Sequence, residues 1–415
     1  MKKTRLLVSV LLIGLMIFGL AACTPTTEPS APPADTSPSQ APDDGNGDDG
    51  GDEPLEPVTV AYIGPLTGDG SVWGLAEKQA YELLSSQLNE AGGLLGREIV
   101  INYYDNRLDN VETTNAARKA IQQDGAVAIL GTCTSGTAIA LADVCNEFKI
   151  PQIATNATNT KVTLMDDGST RPYTFRVSLP DPAFGSVIAE YAYETLGISK
   201  VAILYEVGSD YSIGVTGVFT EAFEGVGGEI IMAEGFKTGD VDFRAQLTKI
   251  NNANPEALFL PCTYKELGLI AVQAKSLGLD CQMLGADTWL AKDIFTVAED
   301  NLDGGIFVAG INYHDPKLEG YRADYKAMHD VDPADVGSNA FYAYDAWQVL
   351  VNSVTKAGEW DSEKIRDAIE NETQGIQGLV GPLTINPETH NPERTVYVFQ
   401  MEGMSNKVID TVQPE

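Results

Sequence analysis

The segment Val58-Thr-Val-Ala-Tyr-Ile-Gly64, followed by Pro65-Leu-Thr-Gly68-Asp-Gly70, decides the fold of this chain. Its apolar, β-branched run is typical of a strand buried on both faces, and the glycines after it predict a tight turn. Apolar residues then recur at helical spacing from Leu75 to Leu88. A strand, a turn and a helix in this order form the start of a βα unit.

The same alternation repeats along the chain in two series. Further strands are predicted at Glu98–Tyr104, Ala126–Gly131, Gln152–Ala154, Val201–Tyr205, Glu229–Met232, Ala257–Leu260, Gln282–Leu284 and Ile306–Ala309. We therefore predict an α/β fold with two Rossmann-like lobes, each built on a doubly wound parallel sheet. Because ligands bind such sheets at the carboxyl ends of the strands, the cleft between the lobes is the expected ligand site.

The N-terminus has the pattern of an export signal. Lys2, Lys3 and Arg5 precede an apolar run, Leu6 to Leu20, which leads into Leu20-Ala-Ala-Cys23. A basic start, a short apolar stretch and small residues before a cleavage point predict a signal peptide over residues 1–22. An ordinary signal peptide followed by a chance cysteine is the alternative interpretation.

Residues 24–57 are predicted to form a solvated linker. They contain mainly Pro, Ser, Thr, Asp and Gly, with nine acids and no base, so they cannot bury enough apolar surface to fold. The whole chain is acidic as well: 27 Lys plus Arg against 59 Asp plus Glu give a net charge of −32. A surface of this charge repels phosphate backbones, which excludes nucleic-acid binding.

Signatures of catalysis and of metal binding are scarce. The three histidines are far apart in the sequence and have no metal-ligand spacing. The glycine turn at Gly64–Gly70 lacks the Gly-Lys-Ser/Thr of a phosphate loop, and no GxSxG nucleophile motif occurs. We predict no enzymatic activity, no cofactor and no metal.

Four cysteines follow Cys23. Cys133 and Cys145 should lie near opposite ends of a helix predicted at Thr137–Phe148, about 12 Å or more apart, which is too far for a disulfide. Cys262 and Cys281 should lie at opposite edges of a sheet. We predict four reduced thiols.

Four loops carry a resemblance to a known family. They are Gly64-Pro-Leu-Thr-Gly68 with Val72-Trp-Gly74, Gly131-Thr-Cys-Thr-Ser-Gly-Thr137, Pro151-Gln-Ile-Ala-Thr-Asn-Ala-Thr158-Asn-Thr-Lys-Val-Thr163, and Gly285-Ala-Asp287. In this order and spacing, the chain from about Val58 to Gln400 resembles the Leu/Ile/Val-binding proteins of ABC importers, which have the type I periplasmic-binding-protein fold. Leu-Ala-Ala-Cys23 likewise resembles the bacterial lipobox, which implies acylation of Cys23.

The resemblance implies two lobes that are joined by three crossovers and close on the ligand. The implied division is a lipidated cysteine and linker at 23–57, lobe one at 58–177 and 311–380, and lobe two at 178–310 and 381–415. The crossovers are expected near Arg176–Leu179, Val308–Ile311 and Val380–Leu383. The family's lobe-one disulfide would pair Cys133 with position 108, which is Leu108 here, so it is absent.

Several ligand-binding residues follow from the matched loops. Thr134 and Ser135 precede a helix and can hold an anion at its N-terminus, although plain helix capping is an alternative. Ala157 and Thr158 match the pair that holds the ligand's carboxylate and ammonium in the family. Asn156, just before them, occupies a position that is usually small, and this departure concerns how the ammonium is bound.

The resemblance also implies residues for the side chain and the ammonium of the ligand. Trp73 matches an aromatic wall, with a core residue as the alternative, and Phe341 matches a second aromatic within one or two positions. Tyr211 and Tyr264 match tyrosines of lobe two. Asp287 matches the acid that binds the ammonium, and its alternative role is to cap a helix predicted at Trp289–Ala298.

Together these features predict a monomeric substrate-binding lipoprotein of an ABC transporter. It captures an amino acid, with a branched-chain or other apolar side chain, and delivers it to permease subunits. It is anchored to the lipid membrane through Cys23 on the outer face of the bacterial cytoplasmic membrane. Two alternatives remain open: the same fold binding another small polar solute of the amide or urea type, and a sensory ligand-binding receptor.

Overall fold

The computed structural model of the chain describes residues 55–414, and two β-sheets organise them. The predicted signal peptide, Cys23 and most of the predicted linker lie outside the described residues. The last three linker residues lie in the first strand, since Leu55 pairs with Arg97 and the Arg97 guanidinium donates to the carbonyls of Glu56 and Pro57. The folded part therefore begins earlier than the predicted boundary at Val58.

The first sheet is entirely parallel, with the strand order β2-β1-β3-β4-β5. Its elements are β1 (Leu55–Gly64), α1 (Ser71–Glu90), β2 (Arg97–Asp105), α2 (Asn110–Gln122), β3 (Ile129–Leu130), α3 (Ser135–Phe148), β4 (Gln152–Ala154) and β5 (Thr174–Arg176). Helices cover both of its faces: Val60 and Tyr62 of β1 pack towards α1, whereas Ala61 and Ile63 pack towards α2 and α3. This burial on both faces explains the continuous apolar run of β1.

The chain then builds a second sheet by the same alternation. Its elements are α4 (Asp181–Glu190), β6 (Lys200–Glu206), α5 (Asp210–Gly225), β7 (Glu229–Phe236), α6 (Arg244–Ala253), β8 (Ala257–Phe259), α7 (Tyr264–Ser276), β9 (Gln282–Gly285), α8 (Ile294–Ala298) and β10 (Ile306–Ala309). These five strands are parallel in the order β10-β9-β8-β6-β7. The two doubly wound lobes that the sequence predicts are confirmed.

After β10 the chain returns to the first sheet before it ends in the second. The returning elements are α9 (Glu319–His329), α10 (Asn339–Ala357), α11 (Ser362–Asn371) and a small hairpin of β11 (Ile376–Gln377) and β12 (Pro382–Leu383). Helix α10 packs along α1. The last two strands, β13 (Val396–Glu402) and β14 (Ser405–Val412), add to β10 in antiparallel fashion. These antiparallel strands were not predicted.

The third connection between the sheets lies later in the chain than expected near Val380–Leu383. Residues beyond that point still contact the first lobe: the Arg176 N–H donates to the carbonyl of His390, and the Arg176 Nε donates to Asn391 Oδ1 at 2.6 Å. The imidazole of His390 also stacks on Phe175. The chain joins the second sheet only at Val396.

Cys133, Cys145 and Cys262 are buried, Cys281 is half-buried, and all four are free thiols in the structure. Within residues 55–414, no helix has the length and apolar character needed to cross a membrane.

Candidate functional site

A cavity of about 480 Å³ lies between the carboxyl ends of the strands of the two sheets. This volume is within the range of about 300–1,000 Å³ typical of small-ligand sites. Of the ten predicted binding residues, those that line it are Trp73, Thr134, Ser135, Asn156, Tyr211, Tyr264 and Asp287. Loops that are distant in the sequence therefore converge on one site.

The N-terminus of α3 forms one pole of the cavity. Thr134 stands at the N-cap position, but its hydroxyl bonds to that of Thr137 at 2.7 Å rather than to the helix backbone. The hydroxyl of Ser135 accepts from the N–H of Asn159 at 3.1 Å. No described residue accepts from the N–H groups of the first helical turn, so these groups can bind an anion at the positive end of the helix dipole. The carboxylate of Asp210, from the second lobe, already lies close to Gly136 in this turn.

Asp287 forms the opposite pole, in the second lobe. Its carboxylate accepts from the hydroxyl of Tyr211 at 2.9 Å and is only 5% exposed. Burial raises the pKa of Asp287 to about 6, against which the Tyr211 hydrogen bond acts. The acid is therefore costly to ionise unless a cation arrives beside it.

The helix predicted at Trp289–Ala298 is wrong, and with it the capping role of Asp287. Residues Asp287–Leu290 form a single 3₁₀ turn, and α8 begins separately at Ile294. The turn is fixed by Trp289, whose indole N–H donates to the Leu260 carbonyl at 3.1 Å and whose ring covers Gly285 so closely that a side chain there would clash. Asp287 is thus held at the end of β9, facing the cavity.

Trp73 and Tyr264 close one side of the cavity from opposite lobes. Their rings meet edge to face, with centroids 5.7 Å apart, and the Tyr264 hydroxyl donates to the carbonyl of Asp69 at 3.1 Å. Trp73 is half-buried and lines the cavity, a position that favours the wall over the core. A second contact between the lobes is the hydrogen bond from Asn159 Nδ2 to the carbonyl of Asp210, at 2.6 Å. The two walls of the cleft therefore touch.

Three of the predicted residues do not line the cavity. The carbonyl of Ala157 accepts from the guanidinium of Arg176, and the carbonyl of Thr158 accepts from the N–H of Asp181. Phe341 is fully buried against Tyr321 in the core. The wall position near Phe341 is taken two residues earlier, by Asn339.

The sequence did not single out Ser338 and Asn339, which complete the wall beside Asn156. Asn156 Nδ2 lies 3.5 Å from the Ser338 hydroxyl, and Asn339 Nδ2 donates to Glu77 Oε1 at 3.1 Å. The only signal in the sequence is a polar pair, Ser-Asn, at the start of the apolar helix α10. Burial raises the pKa of Glu77 to about 7, although Thr155, Asn339 and Tyr62 donate hydrogen bonds to it.

The lining of the cavity is strongly acidic. Its acids are Asp69, Asp109, Glu206, Asp210, Glu266 and Asp287, and Lys265 is the single Lys or Arg among the lining residues. Glu206 and Glu266 are already engaged in the second lobe: Thr238 donates to Glu206, and Thr263 and the N–H of Gly239 donate to Glu266. This electrostatic field favours a ligand with a positive group. None of the three histidines lines the cavity.

Comparison with known proteins places this geometry in context. The sequence model of a family described as periplasmic binding protein matches residues 57–407. The leucine-, isoleucine-, valine-, threonine-, and alanine-binding protein of Pseudomonas aeruginosa is 26% identical over 356 residues, which are 85% of this chain and 92% of the relative.

Solved structures of related binding proteins share the fold of this chain. The branched-chain amino acid transporter substrate-binding protein LivJ of Streptococcus pneumoniae, in complex with isoleucine, is 26% identical with a TM-score of 0.77, over 86% of this chain and 100% of that chain. A solute-binding protein of an ABC transporter from Rhodopseudomonas palustris, in complex with 3,4-dihydroxybenzoic acid, shares the fold at 22% identity and a TM-score of 0.75, over 86% and 97% of the two chains.

Proposed function

Because the chain belongs to the periplasmic binding protein family, we propose that it captures an α-amino acid outside the cytoplasm and delivers it to the permease of an ABC transporter. One observation carries the choice of an amino acid. The cavity has a buried carboxylate, Asp287, on one lobe and the open N-terminus of α3 on the other. A ligand with an ammonium and a carboxylate on one carbon complements both poles.

The energetics of Asp287 support a cationic group in the ligand. An unpaired carboxylate in a closed cleft is unfavourable, and a charge-assisted hydrogen bond to an ammonium removes that penalty. Burial raises the pKa of Asp287 to about 6, although Tyr211 and the N–H groups of Asp287 and Thr288 favour the ionised form. Capture by closure needs no chemical step, which agrees with a family of transport proteins rather than enzymes.

A branched-chain or other apolar side chain has support from Trp73, which offers an aromatic surface, and from the names of the relatives. The second candidate is a ligand with polar groups, including small solutes of the amide or urea type. It is favoured by the polar wall of Asn156, Ser338 and Asn339. The aromatic acid bound by the R. palustris protein belongs in the same test.

A thermal-shift screen tests the proposal. The ligand-free protein is melted with each of the twenty amino acids, with urea and acetamide, and with benzoate-type acids, and hits are confirmed by calorimetry. A ligand at 100 times its Kd adds about 2.7 kcal/mol of stability. Amino acids should raise the melting temperature. A shift from urea or an aromatic acid, but from no amino acid, would contradict the proposal.

Delivery to a permease is tested in cells. Deletion of the gene should abolish uptake of the ligand found in the screen, and the wild-type gene should restore it. A sensory receptor would instead leave uptake intact and remove a transcriptional or motile response to the ligand.

The membrane anchor is proposed from Cys23 alone, which lies outside the described residues. Acyl chains on this cysteine would hold the protein at the membrane, since two or more chains anchor stably. Cys23→Ala should release the protein into the medium or leave it unprocessed, as seen by fractionation and by labelling with a fatty-acid analogue. Unchanged labelling and retention would refute the anchor.

A further inference from the structure

The part of the cavity lining that is left to contact the ligand's side chain lies in the first lobe. Asp287 and the N-terminus of α3 are the poles for the ammonium and the carboxylate. Trp73 begins the remaining wall, and Glu77 follows it by one helical turn on the same face of α1. Asn339 donates to Glu77 from the first turn of α10 and lines the same cavity as Trp73.

Asn339 offers an unused acceptor to the cavity. It lines the cavity and is only 4% exposed. Its amide nitrogen is committed to Glu77, and within residues 55–414 no donor reaches its oxygen. This oxygen is accessible from the cavity, so a ligand that donates to it gains a hydrogen bond on binding.

Asn156 is a second amide of the wall whose oxygen receives no donor from the described residues. Its nitrogen faces the hydroxyl of Ser338. The wall therefore presents two amide oxygens and one hydroxyl beside an aromatic ring. Such a wall suits an aliphatic stem that stacks on Trp73 and ends in hydrogen-bond donors.

The acid behind this wall, Glu77, does not itself line the cavity. Tyr62, Thr155 and Asn339 all donate to Glu77, so its carboxyl group fixes the orientation of the Asn339 amide. The polar groups of this wall that reach the cavity, from Asn156, Ser338 and Asn339, are neutral. They discriminate by hydrogen bonding rather than by charge.

We infer that Asn156, Ser338 and Asn339 select an amino acid whose uncharged side chain ends in hydrogen-bond donors, such as a primary amide or a hydroxyl. The inference rests on the proposed capture of an amino acid and names the class of side chain. A site built to pair with a polar group loses affinity for an analogue that lacks this group, because its own polar atoms stay unpaired.

Calorimetry on the wild-type protein is the first test. The affinities for glutamine, asparagine, threonine and serine are compared with those for leucine, isoleucine and valine. Lysine serves as the amino acid with a cationic side chain. At least one polar, uncharged amino acid should bind at least about tenfold more tightly than any branched-chain one and than lysine. Tighter binding of a branched-chain amino acid or of lysine overturns the inference and leaves the capture of amino acids standing. If no amino acid binds, both are overturned.

Variants assign the selectivity to the wall. Asn339→Leu should shift the ratio of polar to branched-chain affinities by about tenfold or more towards the branched-chain ligand. Asn156→Leu, which leaves all donors of Glu77 in place, should shift it in the same direction. The matched control is Asn352→Leu, 13 residues further along α10, where Asn352 donates to the Glu372 carbonyl. An unchanged ratio in both wall variants, or an equal shift in the control, overturns the assignment.

Discussion

Asp287 combines burial, a hydrogen bond from Tyr211 and a position at the carboxyl end of β9. Removal of its carboxylate should leave the ligand ammonium buried without a partner. We expect Asp287→Ala to weaken the binding of the best amino acid by roughly 2–5 kcal/mol, about 30-fold to several thousand-fold. Calorimetry of the variant measures this, and an affinity within about threefold of the wild type would remove the claim for Asp287.

The same residue predicts how binding depends on pH. Its pKa is about 6 in the ligand-free protein, since burial raises it. An ammonium beside it favours the ionised form, so below pH 6 a proton competes with the ligand. Affinity should fall by about tenfold for each pH unit between pH 6 and the lower pKa of the complex. Titrations from pH 8 to pH 4.5 measure the profile, and the Asp287→Asn variant should give a clearly shallower one.

Some residues of the site could be predicted from the sequence and some could not. Thr134, Tyr211 and Asp287 lie just beyond strand ends, where topology alone brings them to the cleft. Asn339 lies in the first turn of α10, and whether such a residue faces the cavity or the core depends on how the helix is rotated against α1. That rotation is set by packing between residues distant in the sequence. The resemblance implies Phe341 only within one or two positions, and the lining residue, Asn339, lies two positions earlier.

Helix α1 presents the ligand wall and the core from one face. Trp73 lines the cavity in its first turn, whereas Ala76 and Ala80 are buried under α10. Truncation of Trp73 to Ala should therefore weaken binding by about 1.5 kcal/mol or more and hardly change stability. Leu75→Ala, at an exposed position of the same turn, is the matched control and should change neither.

The two readouts for Trp73 separate its possible roles. Calorimetry gives the affinity per folded molecule, and scanning calorimetry of the ligand-free variant gives the melting temperature. A collapse of the melting temperature with unchanged affinity would assign Trp73 to the core.

Among the secondary-structure elements, the strands that are buried on both faces could be predicted, because their sequences are uninterrupted apolar runs. It missed β5, which has only three residues and ends in Arg176, a buried cation bonded to loop carbonyls. It also missed the β13–β14 hairpin, whose outer strand, β14, is largely exposed and polar. Short or exposed strands give a weak periodic signal, because few of their side chains enter the core.

For the whole molecule, buried carboxyl groups predict an unusual dependence of stability on pH. Burial raises the pKa of Glu77 and of Asp181 to about 7, of Asp287 to about 6, and also raises the pKa of Glu206 and Asp345. The folded chain therefore binds more protons than the unfolded chain between about pH 4.5 and 7. Stability should rise as the pH falls through this window. Burial lowers the pKa of His390, so this single residue makes stability fall as the pH falls, against the effect of the carboxyl groups.

The expected result is a melting temperature for the ligand-free protein that is roughly 5 °C higher at pH 5 than at pH 8. Scanning calorimetry at constant ionic strength measures it, and Glu77→Gln should flatten the slope. Surface carboxylates that are paired with lysines lose stabilising interactions when they are protonated, which happens only at lower pH. For example, the hydrogen bond from Lys119 lowers the pKa of Asp124. A melting temperature that falls steadily from pH 8 to pH 5 would contradict the prediction.

The return of the chain from β10 to α10 has a consequence for the order of folding. Tyr325 donates to the carbonyl of Ala76, and α10 packs on α1. The outer layer of the first lobe is therefore formed by residues that are synthesised after the five parallel strands of the second sheet. While the chain emerges from the ribosome, the apolar face of α1 stays uncovered until well past residue 350. The N-terminal lobe therefore cannot mature early, and a nascent chain kept open in this way is suited to being threaded through an export channel before it folds.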